Sequence, residues 1–142
     1  MSTINPYLNF YGNTEEAFNF YKSVFREEFL SVQRFKDFPE GDKLSESDRE
    51  KIMQISLPIS KGYILMGTDT LESLKQTLTA SINYYISIQM ESKEEADRIF
   101  KELSAGGKME MPIQDTFWGA YFGMFADKFG IQWMVNYDYP KE

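Results

Sequence analysis

The chain repeats itself weakly but in register. Tyr7-Leu8-Asn9-Phe10 is echoed by Tyr85-Ile86-Ser87-Ile88, and Glu15-Glu16-Ala17 with Tyr21-Lys22 by Glu94-Glu95-Ala96 with Phe100-Lys101. Gly67-Thr68-Asp69 closes the last strand of one half as Asn136-Tyr137-Asp138 closes the other. Each half reads as strand, helix, then three strands. One helix cannot fully cover a four-stranded sheet, so two such units must pair to enclose a core or a cup. The expected fold class is α+β. It consists of two βαβββ modules in one domain over 1–142, the first at about 4–69 and the second at about 82–138.

Local patterns give the elements. Ile4 to Tyr11 alternates as a half-buried strand, with Leu8 and Phe10 toward a packed layer. Asn13 or Thr14 can cap a helix over Glu15 to Arg26, whose Ala17, Phe20, Tyr21, Val24 and Phe25 fall on one stripe. Strands are expected at Phe29 to Phe35, Lys51 to Ser60 and Tyr63 to Asp69, with Gln54 and Ser56 on one face. Asp37 to Glu50 is charged, holds Pro39 and Gly41, and reads as a mobile loop. Thr70 to Ser81 reads as a loop with one helical turn.

The second half follows the same plan. After a strand at Ile82 to Gln89, Ser92 caps a helix from Lys93 to Ser104, with Glu95 completing a capping box and Ala105-Gly106-Gly107 stopping it. Lys108 to Met111 is a short strand. Thr116 to Phe125 is an aromatic-rich strand in which Gly119 and Gly123 are spaced as if to bend it. Asp127-Lys128-Phe129-Gly130 turns the chain into Ile131 to Tyr137. This closing hairpin holds both tryptophans, Trp118 and Trp133, and reads as one wall of a binding cup.

Composition narrows the function. Net charge is -7 and no Lys/Arg stripe is present, so a nucleic-acid partner is not expected. Cysteine is absent, which excludes disulfides, thiolate sites and a thiol nucleophile. Histidine is absent too, removing the commonest general base near neutral pH and the commonest transition-metal ligand. No apolar run approaches the roughly 18 residues of a membrane span, and the amino terminus has no signal-peptide pattern. The expectation is a soluble, cytoplasmic protein.

Several runs resemble the vicinal-oxygen-chelate (glyoxalase/bleomycin resistance/dioxygenase) superfamily, and within it the PhnB-like branch. They are Asn5-Pro6-Tyr7-Leu8-Asn9-Phe10, Gly12-Asn13-Thr14-Glu15-Glu16-Ala17, Gln114-Asp115-Thr116-Phe117-Trp118-Gly119, Asp127-Lys128-Phe129-Gly130 and Trp133-Met134-Val135-Asn136. The resemblance implies a U-shaped cup and, in the enzymes, a divalent metal held by His, Glu or Gln from the first and last strands of each module. Those positions fall at or near Tyr7, Leu65, Tyr85 and Met134 here, none an ordinary ligand for a divalent ion, and Gln54 stands where relatives are expected to carry histidine. No metal and no cofactor is therefore expected. PhnB-like proteins sometimes carry a methyltransferase label, but the chain has neither the glycine-rich first turn nor the alternating βα series of a Rossmann domain.

The candidate substrate-binding residues are Tyr7, Asn9, Gln54, Tyr85, Trp118, Tyr121, Met134 and Asn136. Tyrosines pair an apolar ring with an orienting hydroxyl, and the amides sit on polar strand faces. The expected role is binding of a small aromatic or amphipathic molecule by a homodimer without metal-dependent catalysis. The alternative is a metal-dependent lyase, isomerase or dioxygenase-like enzyme with unusual oxygen ligands. Asp115 and Asp127 read as strand-entry and turn residues, and Glu110 as an exposed strand position.

Overall fold

The computed structural model describes residues 4–71 and 83–141. The chain divides into two compact units, Met1–Ala80 and Ser81–Glu142. The reading of Thr70 to Ser81 lies, beyond Leu71, outside the described residues.

In the first unit β1 (Tyr7–Phe10), α1 (Thr14–Phe25), β2 (Ser31–Arg34), β3 (Ile52–Ser60) and β4 (Tyr63–Asp69) form a sheet of order β1-β4-β3-β2. β1 runs parallel to β4, and the other pairs are antiparallel. The amphipathic stripe of α1 buries Ala17, Phe18, Tyr21 and Val24 against Leu8, Phe10, Ile55, Leu57 and Leu65. Gly67 is there because a Cβ would stand 2.6 Å from the Phe18 ring.

The cap on α1 differs from expectation. Asn13 makes no side-chain cap bond. Instead buried Asp69, at the end of β4, accepts from the Thr14 N–H at 3.1 Å and the Thr14 hydroxyl at 2.7 Å, while its other oxygen accepts from the Ile52 N–H at 2.8 Å. An anion at a helix N-terminus satisfies donors the helix leaves open and complements its dipole.

The segment expected as a mobile loop is built of short helical turns: 3₁₀ turns at Phe35–Asp37 and Pro39–Lys43, and the one-turn α2 (Glu46–Arg49). Its charges are paired locally rather than all solvated. Ser45 caps α2 by accepting from the Asp48 N–H, Lys51 pairs with Asp48 at 3.0 Å, and Lys36 with Glu50 at 3.1 Å.

The second unit repeats the topology. β5 (Ile86–Gln89), α3 (Lys93–Ser104), β6 (Lys108–Asp115), β7 (Ala120–Ala126) and β8 (Gln132–Asp138) form a sheet of order β5-β8-β7-β6, with β5 parallel to β8. Ser92 caps α3 by accepting from the Glu95 N–H at 3.1 Å. Ala96, Ile99, Phe100 and Leu103 pack on Phe125, Trp133 and Val135, and Phe100 meets Phe125 edge to face at 5.1 Å. Gly123 serves the packing of α3. It lets Phe100 reach the sheet, since a Cβ there would stand 2.5 Å from that ring.

Thr116 to Phe125 is not one strand. The chain reverses over Thr116 to Gly119, with Gly119 at φ +88°, and β6 runs on to Asp115 to meet it. At the far end of the hairpin buried Asp127 accepts from the Phe129 and Ile131 N–H groups and from the Trp133 indole N–H at 2.9 Å. It is the turn residue its position suggests.

Candidate functional site

Strand register sorts the side chains of each sheet onto two faces, one packed by its helix and one open. In the first unit the open face carries two lateral rows: Tyr7, Met66, Ser56 and Ser31, then Asn9, Thr68, Gln54 and Gln33. The Ser31 hydroxyl donates to the Gln54 carbonyl at 2.8 Å, and the Gln54 amide donates to Ser56. Tyr7, Asn9 and Gln54 thus share this face. Leu65 does not: it is wholly buried under α1, and Met66 stands beside Tyr7 instead.

The open face of the second unit is more apolar. One row is Ser87, Met134, Met124 and Met111, and the next is Gln89, Asn136, Phe122 and Gln114. The Trp118 ring, from the β6–β7 turn, meets Phe122 at 6.0 Å and Phe117 at 5.0 Å. At the end of this face the Asn136 amide donates to Gln89 at 2.8 Å and to Asp138 at 3.0 Å, and the Gln89 amide donates to Asp138 at 3.2 Å.

Tyr85 crosses this face. It precedes β5 on one edge, and its hydroxyl donates to Glu110 on β6, the opposite edge. Three strand spacings amount to about 14 Å on a flat sheet. The two side chains meet only because the sheet curls around the face turned away from α3. Glu110 is aimed by a register irregularity, since Met109 pairs with Phe125 and Met111 with Met124, leaving Glu110 as the extra residue. The hydrogen bond raises the Tyr85 phenol above its usual value, because the neutral hydroxyl is the donor.

Tyr121 is placed elsewhere. It lies opposite Tyr137 and Asp115, on the α3 side of β7, and its hydroxyl donates to Asp97 of α3 at 2.5 Å. That bond, with some desolvation, pushes the phenol up to about 12. Lys93 sits 4.8 Å above its ring, and nearby the Tyr139 hydroxyl donates to Asp115. Tyr121 braces the helix rather than joining Tyr85, Trp118, Met134 and Asn136 on the open face.

Sequence reading missed Glu110, Met111, Met124 and Asp138 as neighbours of those four, although alternation already sets Gln89 on the face of Tyr85. The signal available was the two-residue period running from Met134 and Asn136 to Asp138, and from Phe122 to Met124.

The superfamily's divalent ion does not fit these residues. Of the positions matched to its ligands, Leu65 is buried hydrocarbon, Met134 offers a thioether, and the Tyr85 hydroxyl is spent on Glu110. A hard cation takes oxygen or imidazole donors. Among the described residues no three His, Cys, Asp or Glu side chains gather to hold a metal.

Comparison with known proteins places the chain. The family described as 3-demethylubiquinone-9 3-methyltransferase matches residues 2–136. Protein YjdN of Escherichia coli is 31% identical over 141 residues, covering 94% of this chain and 93% of its own. The crystal structure of PA1353 from Pseudomonas aeruginosa is 36% identical with a TM-score of 0.86, covering 97% and 98% of the two chains. A Bacillus cereus structure described as a putative 3-demethylubiquinone-9 3-methyltransferase, PhnB protein, is 26% identical with a TM-score of 0.76, covering 96% and 99%. More distant chains of the glyoxalase and bleomycin-resistance group, at 15% identity and a TM-score of 0.64, share the fold alone. The chain belongs to the PhnB-like family, described as 3-demethylubiquinone-9 3-methyltransferase, on the α+β fold of the glyoxalase/bleomycin resistance/dioxygenase superfamily.

Proposed function

We propose that the protein binds a small aromatic or amphipathic molecule on the open face of its second unit, as a homodimer, and that binding rather than metal-dependent chemistry is its role. The observation that carries this reading is the Trp118–Phe122 edge-to-face pair standing beside a row of three methionines on a curled sheet face. Aromatic rings and polarizable thioethers make a surface that accepts planar apolar groups. Glu110 and Asp138 are the charged side chains in these rows and the adjoining bridge, and both are acidic. A ligand carrying positive charge is favoured over an anion.

The homodimer is supported by surface. Phe117 is 97% exposed and Trp118 55%, an apolar tip of the kind that association covers. For the alternative, a metal-dependent lyase, isomerase or dioxygenase-like enzyme with unusual oxygen ligands, no cluster of three His, Cys, Asp or Glu side chains is present among the described residues. The methyltransferase in the family's description is not carried over either. Sheets of order β1-β4-β3-β2 and β5-β8-β7-β6 offer no glycine-rich strand-to-helix turn of the Rossmann kind.

A thermal-shift screen with matched aromatic cations, neutral aromatics and aromatic anions tests the reading. Cationic aromatics are expected to raise the melting temperature, and Trp118→Ala to remove the effect. Hits confined to acidic or metal-chelating compounds would sink it. Light scattering at micromolar concentration is expected to give twice the chain mass.

A further inference from the structure

The methionine row has a second chemistry. Met124 stands opposite Met134 on one side and Met111 on the other, so three adjacent strands each place one thioether at the same level of one face. Neighbouring Cβ atoms in such a row are about 5 Å apart. Methionine's unbranched chain lets the outer sulfurs lean toward the central one. All three side chains are half-buried, so water competes only partly for the space they line. Glu110 adjoins Met111 in sequence and reaches back over the face to Tyr85, bringing negative charge to it.

A thioether is a neutral, soft donor. It is a poor ligand for magnesium, manganese or calcium and a good one for copper(I) and its analogue silver(I). Nothing in the chain outcompetes it for such an ion, because there is no cysteine and no histidine. The mismatch with the superfamily's hard divalent ion is thus a mismatch of kind rather than simple loss. We propose that Met111, Met124 and Met134 form a site for a soft monovalent cation, copper(I), bound by three thioether sulfurs with the Glu110 carboxylate as neighbouring counter-charge. Binding involves no change of oxidation state. It goes beyond the small-molecule reading and does not depend on it, since the ion needs no organic ligand.

The test titrates the full chain, with its methionine methyls ¹³C-labelled, with silver(I) nitrate and, without oxygen, with copper(I) against bathocuproine disulfonate. One ion per chain is expected, with the methyl resonances of Met111, Met124 and Met134 moving together. Manganese(II) and zinc(II) should move none of the eight methionines. Met124→Leu conserves volume and is expected to weaken binding by about tenfold or more, while Met53→Leu on β3 leaves it unchanged. No uptake of either ion at micromolar concentration would overturn the proposal. So would shifts scattered over methionines outside the row, or unaltered affinity in a folded Met124→Leu protein. Should that variant not fold, the labelled wild-type spectrum decides by itself.

Discussion

The Tyr85 hydroxyl donates to the Glu110 carboxylate across the whole width of the second sheet, from the edge beside β5 to the edge formed by β6. The bond reports the curl of that sheet. A neutral phenol is what the carboxylate holds, so ionisation of Tyr85 is delayed. In a pH titration followed by ring NMR, Tyr85 is expected to ionise above the ordinary tyrosine value. Glu110→Gln should bring it back toward the ordinary value. A Tyr85 titration left unchanged by Glu110→Gln would contradict the bridge.

Tyr121 supplies a pH dependence with a definite sign. Its folded phenol is raised to about 12 by the bond to Asp97, while an unfolded tyrosine ionises near 10.0. A raised folded value contributes stability that is fully present below pH 10 and is lost as pH climbs toward 12. Stability measured by urea melts should therefore fall more steeply with pH across that window in the wild type than in Tyr121→Phe. Below pH 9 the two curves are expected to run parallel.

Asp69 ties the last strand of the first unit to the start of α1 and to β3. Asp69→Asn replaces one acceptor oxygen with a donor, and either the Ile52 N–H or the Thr14 pair loses its partner. A buried donor left unpaired costs about 1–3 kcal/mol, and the loss of the charge at the helix N-terminus adds to it. Chemical denaturation should show destabilisation of about 3 kcal/mol. Asp138→Asn, at the exposed end of β8, should change stability by less than about 0.5 kcal/mol.

Gly123→Ala tests the packing of α3. The added methyl would stand 2.5 Å from the Phe100 ring and 2.9 Å from the Ile113 Cα, and the backbone atom cannot step aside cheaply. Overpacking of this kind costs about 1–3 kcal/mol. Gly130→Ala has open space around its Cβ but a φ of +88°, so any loss there is conformational, not steric. A Phe100→Leu background should relieve part of the first loss, leaving the contact with Ile113, and leave the second as it was.

Much of the fold was legible because its signals are local. β4 runs over Tyr63–Asp69 and α3 over Lys93–Ser104, the ranges that alternation and the Ser92 cap predict. What was not legible depends on partners distant in sequence. The true cap of α1 is Asp69, 55 residues away from Thr14. Met109-Glu110-Met111 looks like plain alternation, and only pairing with β7 reveals the extra residue that aims Glu110 at Tyr85. The turn at Gly119 resets the phase of the aromatic run, which sends Phe122 to the open face and Tyr121 to the helix. The polar stretch from Asp37 to Glu50 hid its order for another reason: its charges find one another, while composition alone assigns them to water.

In both units the first strand hydrogen-bonds to the last, β1 to β4 and β5 to β8. As the chain leaves the ribosome, each opening strand therefore waits without its sheet neighbour until nearly the entire repeat has been translated. A transcript cut before Gln132 would release a half in which β5 has no strand to lie against, and early termination there should yield a product cleared by proteolysis instead of a shortened, working half.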